Sequence, residues 1–350
     1  MRDRTSGGVG GRRGDPAPYP IQQFLSNHLP PNNTYSSTGQ DELSSRGRRN
    51  GLKVSRRDFL KWAAASATAI GLTQADLGKL SEVFAAAGRP PVVWLSGSGC
   101  SGCSVSLLNT VNPPIDSVLL DTVSLLFHPT VMAGAGERAM ETLDDVLDDQ
   151  PGEFVLVIEG GVPTAEGGRY CYIGECHGRE WTMLDAISVL APKAKAVVAA
   201  GTCAAFGGIP GGRPNPTGIV RVDRLVKSVP VVNLPGCPAH PDWMVTTLVE
   251  VFLKGVPRLD SQRRPVAFYG RTVHSQCPRR FTWPARNLGD STCLQLLGCN
   301  GPTTSADCPR RKWNAGTNWC VQSGTPCIGC ASPVFPDGCE PFYKPRPLMM

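Results

Sequence analysis

The sequence predicts an α/β fold: an open, doubly wound parallel sheet followed by a loop-rich, cysteine-rich module. Three observations carry that expectation. Short uninterrupted apolar runs recur after residue 90, and each ends on a turn that contains glycine. Stretches of helical length lie between them. The alternation stops after Arg258, where cysteines crowd into a segment with little apolar periodicity. Uninterrupted runs mark strands buried on both faces, and their alternation with helices marks a layered α/β domain.

The chain opens with two segments that belong to no fold. Residues 1–54 are rich in Gly, Pro, Ser, Asn and Arg and read as a disordered extension. Ser55-Arg56-Arg57-Asp58-Phe59-Leu60-Lys61 then precedes an apolar stretch, Trp62 to Leu72, which is too short and alanine-rich to span a bilayer. Ala85-Ala86-Ala87 offers a cleavage site before Gly88. Basic, apolar and small residues in that order make residues 55–87 a twin-arginine signal peptide, the address of a protein exported already folded. Residues 1–87 hold 12 basic against 7 acidic side chains, and the remainder 23 against 22. The body therefore has no charge excess suited to nucleic acid.

In the body, residues 88–258, strands are expected at Val92–Leu95, Phe154–Ile158, Ala196–Ala200 and Val231–Leu234. Helices are expected at Ser104–Val111, Gly136–Asp149, Glu180–Leu190 and Pro241–Lys254. Open sheets of this kind bind ligands at the carboxyl ends of their strands. Three of the four ends deliver cysteines: Cys100 and Cys103, Cys203, and Cys237. Four thiolates brought together suit a 4Fe–4S cluster or a zinc ion, the bland reading being buried free thiols. Glu159, at the fourth strand end, is expected to cap the turn that follows it, with a role at a subunit interface or in proton movement as the alternative.

The module at residues 259–350 holds eight of the 14 cysteines. So little apolar periodicity cannot build a core alone, and metal would supply the missing stability. Two groups separate by spacing: His274, Cys277, Cys293 and Cys299, then Cys308, Cys320, Cys327 and Cys330. A neutral imidazole among thiolates makes a site less negative and favours its reduced form. Cys171, Cys176, His177 and Cys339 remain outside these groups. Cys171 and Cys339 are expected as buried structural thiols, whereas Cys176-His177 could also form an accessory metal or redox site.

These segments resemble the small subunit of nickel–iron hydrogenases over residues 55–340. The resemblance rests on Cys-Ser-Gly-Cys-Ser (100–104), Gly-Thr-Cys-Ala-Ala-Phe-Gly-Gly (201–208), Leu-Pro-Gly-Cys-Pro (234–238) and His-Ser-Gln-Cys (274–277). Gly-Cys-Asn-Gly-Pro (298–302), Pro-Cys-Ile-Gly-Cys (326–330) and Phe-Pro-Asp-Gly (335–338) complete it. It implies a flavodoxin-like domain whose Cys100, Cys103, Cys203 and Cys237 hold a proximal 4Fe–4S cluster. It also implies a distal 4Fe–4S cluster on His274, Cys277, Cys293 and Cys299, and a medial cluster on Cys308, Cys327 and Cys330. Many members carry proline where this chain has Cys320 and hold a 3Fe–4S medial cluster; a fourth thiolate here leads to the expectation of 4Fe–4S. Gly102 and Gly208 stand where oxygen-tolerant members place extra cysteines. Ser104–Asn109 and His128–Ala133 look like the periplasmic nickel–iron–selenium branch.

The resemblance implies no catalytic residue in this chain. The hydrogen-activating centre would lie in a large-subunit partner, and the external acceptor would be a cytochrome c or a quinone-linked membrane partner. Three other readings compete: a free-standing multi-cluster ferredoxin-like carrier, a relative of the respiratory complex I lineage, and a zinc-stabilised structural protein. The complex I lineage keeps the first cysteine group but generally lacks the second module and a leader. No nucleophile–base set, phosphate loop or dinucleotide fingerprint is visible.

Overall fold

The computed structural model describes residues 89–111, 114–119 and 123–344. The extension and signal peptide expected at residues 1–87 lie outside the described residues. Each apolar run forms a strand: β1 (Pro91–Ser96), β3 (Val155–Glu159), β7 (Ala196–Ala200) and β9 (Val231–Leu234). A fifth strand, β2 (Ser124–Phe127), completes a parallel sheet in the order β2-β1-β3-β7-β9. Counted along the sheet alone, that order is 2-1-3-4-5, the flavodoxin-like arrangement, with its switch point between β1 and β3. The edge strand β2 was not foreseen because it is short and only half-buried.

Side chains alternate across the sheet and so feed two cores. Val92, Trp94, Val155, Val157 and Leu234 face one side, packed by helices α1 (Gly102–Leu108) and α5 (Pro241–Leu253). Val93, Leu95, Leu156, Ile158 and Val231 face the other, packed by α2 (Glu137–Asp149), α3 (Met183–Leu190) and α4 (Gly201–Phe206). Two small pairings decorate the edges. β4 (Val162–Pro163) pairs with β8 (Ile219–Val220), and β5 (Tyr172–Cys176) forms a hairpin with β6 (Arg179–Thr182). The helix expected from Glu180 therefore starts at Met183. Glu180 is spent on the hairpin, and Thr182 with Asp185 closes a capping box that sets the helix start.

Beyond Leu259 regular structure is reduced to single helical turns at Val266–Tyr269, Val273–Gln276 and Cys308–Arg311, with one 3₁₀ turn. Among the described residues this module has no separate core. Its Val273, Leu294, Ala306, Trp319 and Val321 join the cluster that α5 and the sheet face already form. Polar contacts fix the seam. Trp243 Nε1 donates to Asp307 Oδ1 at 2.9 Å, and Tyr269 OH donates to the Pro235 carbonyl at 2.8 Å. Arg311 bridges Asp307 at 2.8 Å and Asp242 at 3.1 Å. Among the described residues no helix is long and apolar enough to cross a membrane.

Candidate metal centres

The sheet gathers the first cysteine group at its switch point. Cys100 and Cys103 follow β1, Cys203 sits in α4 just after β7, and Cys237 follows β9. Cys103, Cys203 and Cys237 each lie close enough to other thiols of the group, Cys100 among them, to feel their charge. Burial, aided by those neighbours, pushes Cys203 up to about 11, and raises Cys103 and Cys237 as well. Bare thiolates would be costly here, so the set needs positive charge to compensate. Backbone amides already aim at the sulfurs: the Ala239 N–H donates to Cys103 Sγ at 3.4 Å, and the Ile209 amide serves Cys203. Glycine allows the approach. A Cβ on Gly201, which adopts φ +84°, would stand 2.5 Å from Cys103 Sγ.

Glu159 turns out not to cap its own turn. From the end of β3 it reaches across to the start of α1, whose first amides have no partner within the helix. Its Oε1 accepts from the Cys103 N–H at 2.8 Å and the Ser104 N–H at 3.1 Å, while Oε2 accepts from Trp94 Nε1 at 3.0 Å and from the Ser104 hydroxyl. A carboxylate offers the acceptor positions for all four. Ser104 Oγ also lies 3.3 Å from His128 Nε2. His128 Nδ1 accepts from the Thr130 N–H, which leaves the proton on Nε2 to point at Ser104. Burial lowers the His128 pKa, in keeping with a neutral ring stacked on Trp94.

The other two groups adjoin the first in a row. Cys308, Cys320, Cys327 and Cys330 lie close enough to feel one another's charge and line a cavity of about 340 Å³ together with Trp243, Trp313 and Trp319. Burial with neighbouring thiols pushes Cys330 up to about 12 and raises Cys308 and Cys327. Cys277, Cys293 and Cys299 form the third set by the same criterion. His274 stands one turn before Cys277, and its backbone flanks the same glycine, Gly301, that abuts Cys299 Sγ. Two amides stitch the row together. The Cys237 N–H serves the Cys330 sulfur, and the Cys327 N–H donates to Cys299 Sγ at 3.3 Å.

The donor chemistry fits iron–sulfur ligation: no disulfide joins any of the 14 cysteines, the thiols cluster, and N–H groups point at sulfur. Thr202, missed in the sequence, ties the row to the sheet. Its hydroxyl donates to the Cys330 carbonyl and accepts the Gly236 N–H at 2.9 Å. Its place between Gly201 and Cys203 was the only available signal. Of the leftover thiols, Cys339 is buried beside Gly329, whereas Cys171 is only partly buried.

Comparison with known proteins follows the same division. The family described as NADH ubiquinone oxidoreductase, 20 Kd subunit, matches residues 100–251. The C-terminal family of the NiFe/NiFeSe hydrogenase small subunit matches residues 269–343. A twin-arginine translocation pathway signal sequence matches residues 53–73. The periplasmic [NiFeSe] hydrogenase small subunit of Desulfomicrobium baculatum is 43% identical, over 83% of this chain and 99% of its own length. The periplasmic [NiFe] hydrogenase small subunit of Solidesulfovibrio fructosivorans is 40% identical, over 87% of this chain and 97% of its own length. Among solved structures, a chain of the H2-activated D. baculatum [NiFeSe]-hydrogenase superposes with a TM-score of 0.70 at 45% identity, covering 74% of this chain and 99% of that one. A chain of the actinobacterial-type NiFe-hydrogenase of Ralstonia eutropha superposes with a TM-score of 0.68 at 33% identity, covering 74% and 83%. With thiol groups in a row that starts at the edge of a flavodoxin-like sheet and likeness across nearly the whole length of these relatives, the chain belongs to the family of nickel–iron hydrogenase small subunits.

Proposed function

We propose that residues 88–258 and 259–350 act as two parts of one electron relay through three clusters. Cys100, Cys103, Cys203 and Cys237 hold a proximal 4Fe–4S cluster. Cys308, Cys320, Cys327 and Cys330 hold a medial 4Fe–4S cluster, and His274, Cys277, Cys293 and Cys299 hold a distal 4Fe–4S cluster. The adjacency of the three thiol groups, through the Cys237–Cys330 and Cys327–Cys299 amide contacts, carries this reading. When bound, the clusters supply one-electron redox sites between hydrogen and an external acceptor. This chain's residues bind them through sulfur and imidazole, aim amides at the ligand sulfurs, and exclude water with Trp243, Trp313 and Trp319.

The chain is the electron-transfer small subunit of a hydrogenase that interconverts dihydrogen with protons and electrons. It pairs with a large subunit, which carries the hydrogen-activating nickel–iron centre. It is exported to the periplasm by the twin-arginine route. A free-standing carrier is disfavoured by likeness to small subunits across 96–99% of the length of three periplasmic relatives. The acceptor we propose is a cytochrome c or a quinone-linked membrane partner. The test is anaerobic purification of the native complex, then iron and nickel analysis with dye-linked hydrogen oxidation. Twelve irons in this chain beside a nickel-bearing partner are expected. A monomer with full iron content and no partner would overturn the assignment.

A further inference from the structure

Away from the relay, the tip of the β5–β6 hairpin meets the start of α2. The turn residues His177 and Gly178 have φ +53° and +71°. Left-handed pairs of this kind form a two-residue hairpin loop, a place where Asn-Gly is the favoured pair. Here the first position carries an imidazole. The hairpin is pressed onto α2 closely enough that a Cβ on Gly174 would stand 2.4 Å from Met140 Sδ. The His177 N–H donates to Glu137 Oε1 at 2.8 Å, which holds the tip against the first residue of the helix.

Three donors of mixed kind converge there, and a fourth, Asp144, touches the sulfur. Cys176 Sγ lies 3.4 Å from His177 Nδ1 and 3.6 Å from Asp144 Oδ2, and His177 Nδ1 lies 4.0 Å from Glu137 Oε1. One ligand atom from each of Glu137, Cys176 and His177 falls within 4.8 Å of the other two. Tetrahedral zinc, with bonds of about 2.3 Å to sulfur and about 2.0–2.1 Å to nitrogen or oxygen, places its ligand atoms roughly 3.3–3.6 Å apart. The sulfur–nitrogen and sulfur–oxygen separations already match, and the nitrogen–oxygen one needs only a small side-chain rotation.

The surroundings favour a cation too. α2 carries Glu137, Glu141, Asp144, Asp145, Asp148 and Asp149 against one basic residue, Arg138. The thiol is buried, while the His177 and Glu137 side chains are 68% and 59% exposed. An ion can therefore enter from solvent and reach sulfur beneath. Thiolate with imidazole excludes the hard cations calcium and magnesium and suits zinc.

We propose that Cys176, His177 and Glu137, with Asp144 as the fourth donor, form a structural zinc site that clips the β5–β6 hairpin to α2, separate from the iron–sulfur relay. Without zinc the same atoms serve as ordinary hydrogen-bond partners, so the site is preformed. The proposal stands independently of the relay assignment.

The test uses the anaerobically purified holo-complex, treated with a chelator, given Zn²⁺ and gel-filtered. One zinc per small subunit is expected to remain. Its K-edge spectrum should show one sulfur neighbour at about 2.3 Å and lighter ones at about 2.0–2.1 Å. Cys176→Ser and His177→Asn should each lose the retained zinc and the zinc-dependent rise in Tm. His177→Asn is the decisive variant. Asparagine suits the turn better than histidine does, so its hairpin forms, and iron content and hydrogen oxidation should match the unaltered complex. Failure of the unaltered complex to retain zinc overturns the proposal, as does equal retention by His177→Asn.

Discussion

Glu159 shows how one side chain can set the position of a ligand. It fixes the first turn of α1 by accepting the amides of Cys103 and Ser104, so the backbone that carries Cys103 is held from the end of the neighbouring strand. Glu159→Gln turns one acceptor into a donor that faces donors already in place. We expect a loss of about 1–3 kcal/mol, the cost of a buried polar group left unsatisfied, read by denaturant unfolding of the purified complex. The EPR signature of the proximal site should shift as well, which a purely global loss of stability would not cause. Glu159→Asp, which keeps the charge but shortens the reach, should recover part of the loss. Cys320 decides a different property. It lines the same cavity as Cys308, Cys327 and Cys330, and in the medial site proposed above it would supply the fourth thiolate that decides between 4Fe–4S and 3Fe–4S. Cys320→Pro should yield a 3Fe EPR signal in untreated, anaerobically isolated complex where the unaltered protein shows none. A strong 3Fe signal before mutation would defeat the medial 4Fe–4S assignment.

At the scale of elements, α5 begins on a residue that works only when neutral. His240 caps this helix by accepting the Asp242 N–H at Nδ1, 3.1 Å, and faces the Lys312 carbonyl through Nε2 at 2.6 Å. Nδ1 must be bare and Nε2 protonated, so a second proton would remove the cap. Burial holds the imidazole below its ordinary value, against the opposing pull of Asp242 and Asp307. Between that lowered pKa and about 6.5 the unfolded chain binds more protons than the folded one, and stability rises with pH. The contribution is complete above about pH 6.5, erodes as pH falls towards the folded value, and levels off below it. His240→Asn keeps a capping oxygen without the titration. The difference in unfolding free energy between the two proteins should change with pH across this window and be flat above it.

Elements were legible in the sequence wherever burial on both faces wrote a continuous apolar run, as at Val155–Ile158 and Val197–Ala200. The half-buried β2 and the β5–β6 hairpin left no such run and were missed. The thiol groups were legible because cysteine beside glycine at a strand end has few other uses. The acceptors around them were not, since Glu159 and Thr202 act across distances of 55 and 128 residues that no local pattern encodes.

Across the whole molecule the second module depends on the first for its core, and a small set of polar contacts sets their register. Asp307 is almost fully buried and takes both the Trp243 N–H and the Arg311 guanidinium. Asp307→Ala would leave Arg311 with Asp242 as its remaining carboxylate partner and the buried Trp243 N–H without its acceptor, a loss of about 1–3 kcal/mol. Because Asp307 precedes Cys308, iron content should fall with stability. The series arrangement gives a sharper test. If the amide contacts reflect the order of the relay, the group at Cys277, Cys293 and Cys299 is the exit and the group at Cys100, Cys103, Cys203 and Cys237 the entrance. Cys277→Ser should then impair only the last step. Hydrogen-driven reduction of an external dye should fall, while hydrogen–deuterium exchange, which needs the partner's centre alone, should persist. EPR signals of the inner two sites should remain and become reducible by hydrogen without onward turnover. Loss of exchange together with dye reduction would mean that the outer group supports the hydrogen-activating centre in some other way, and the three groups would not form a simple line.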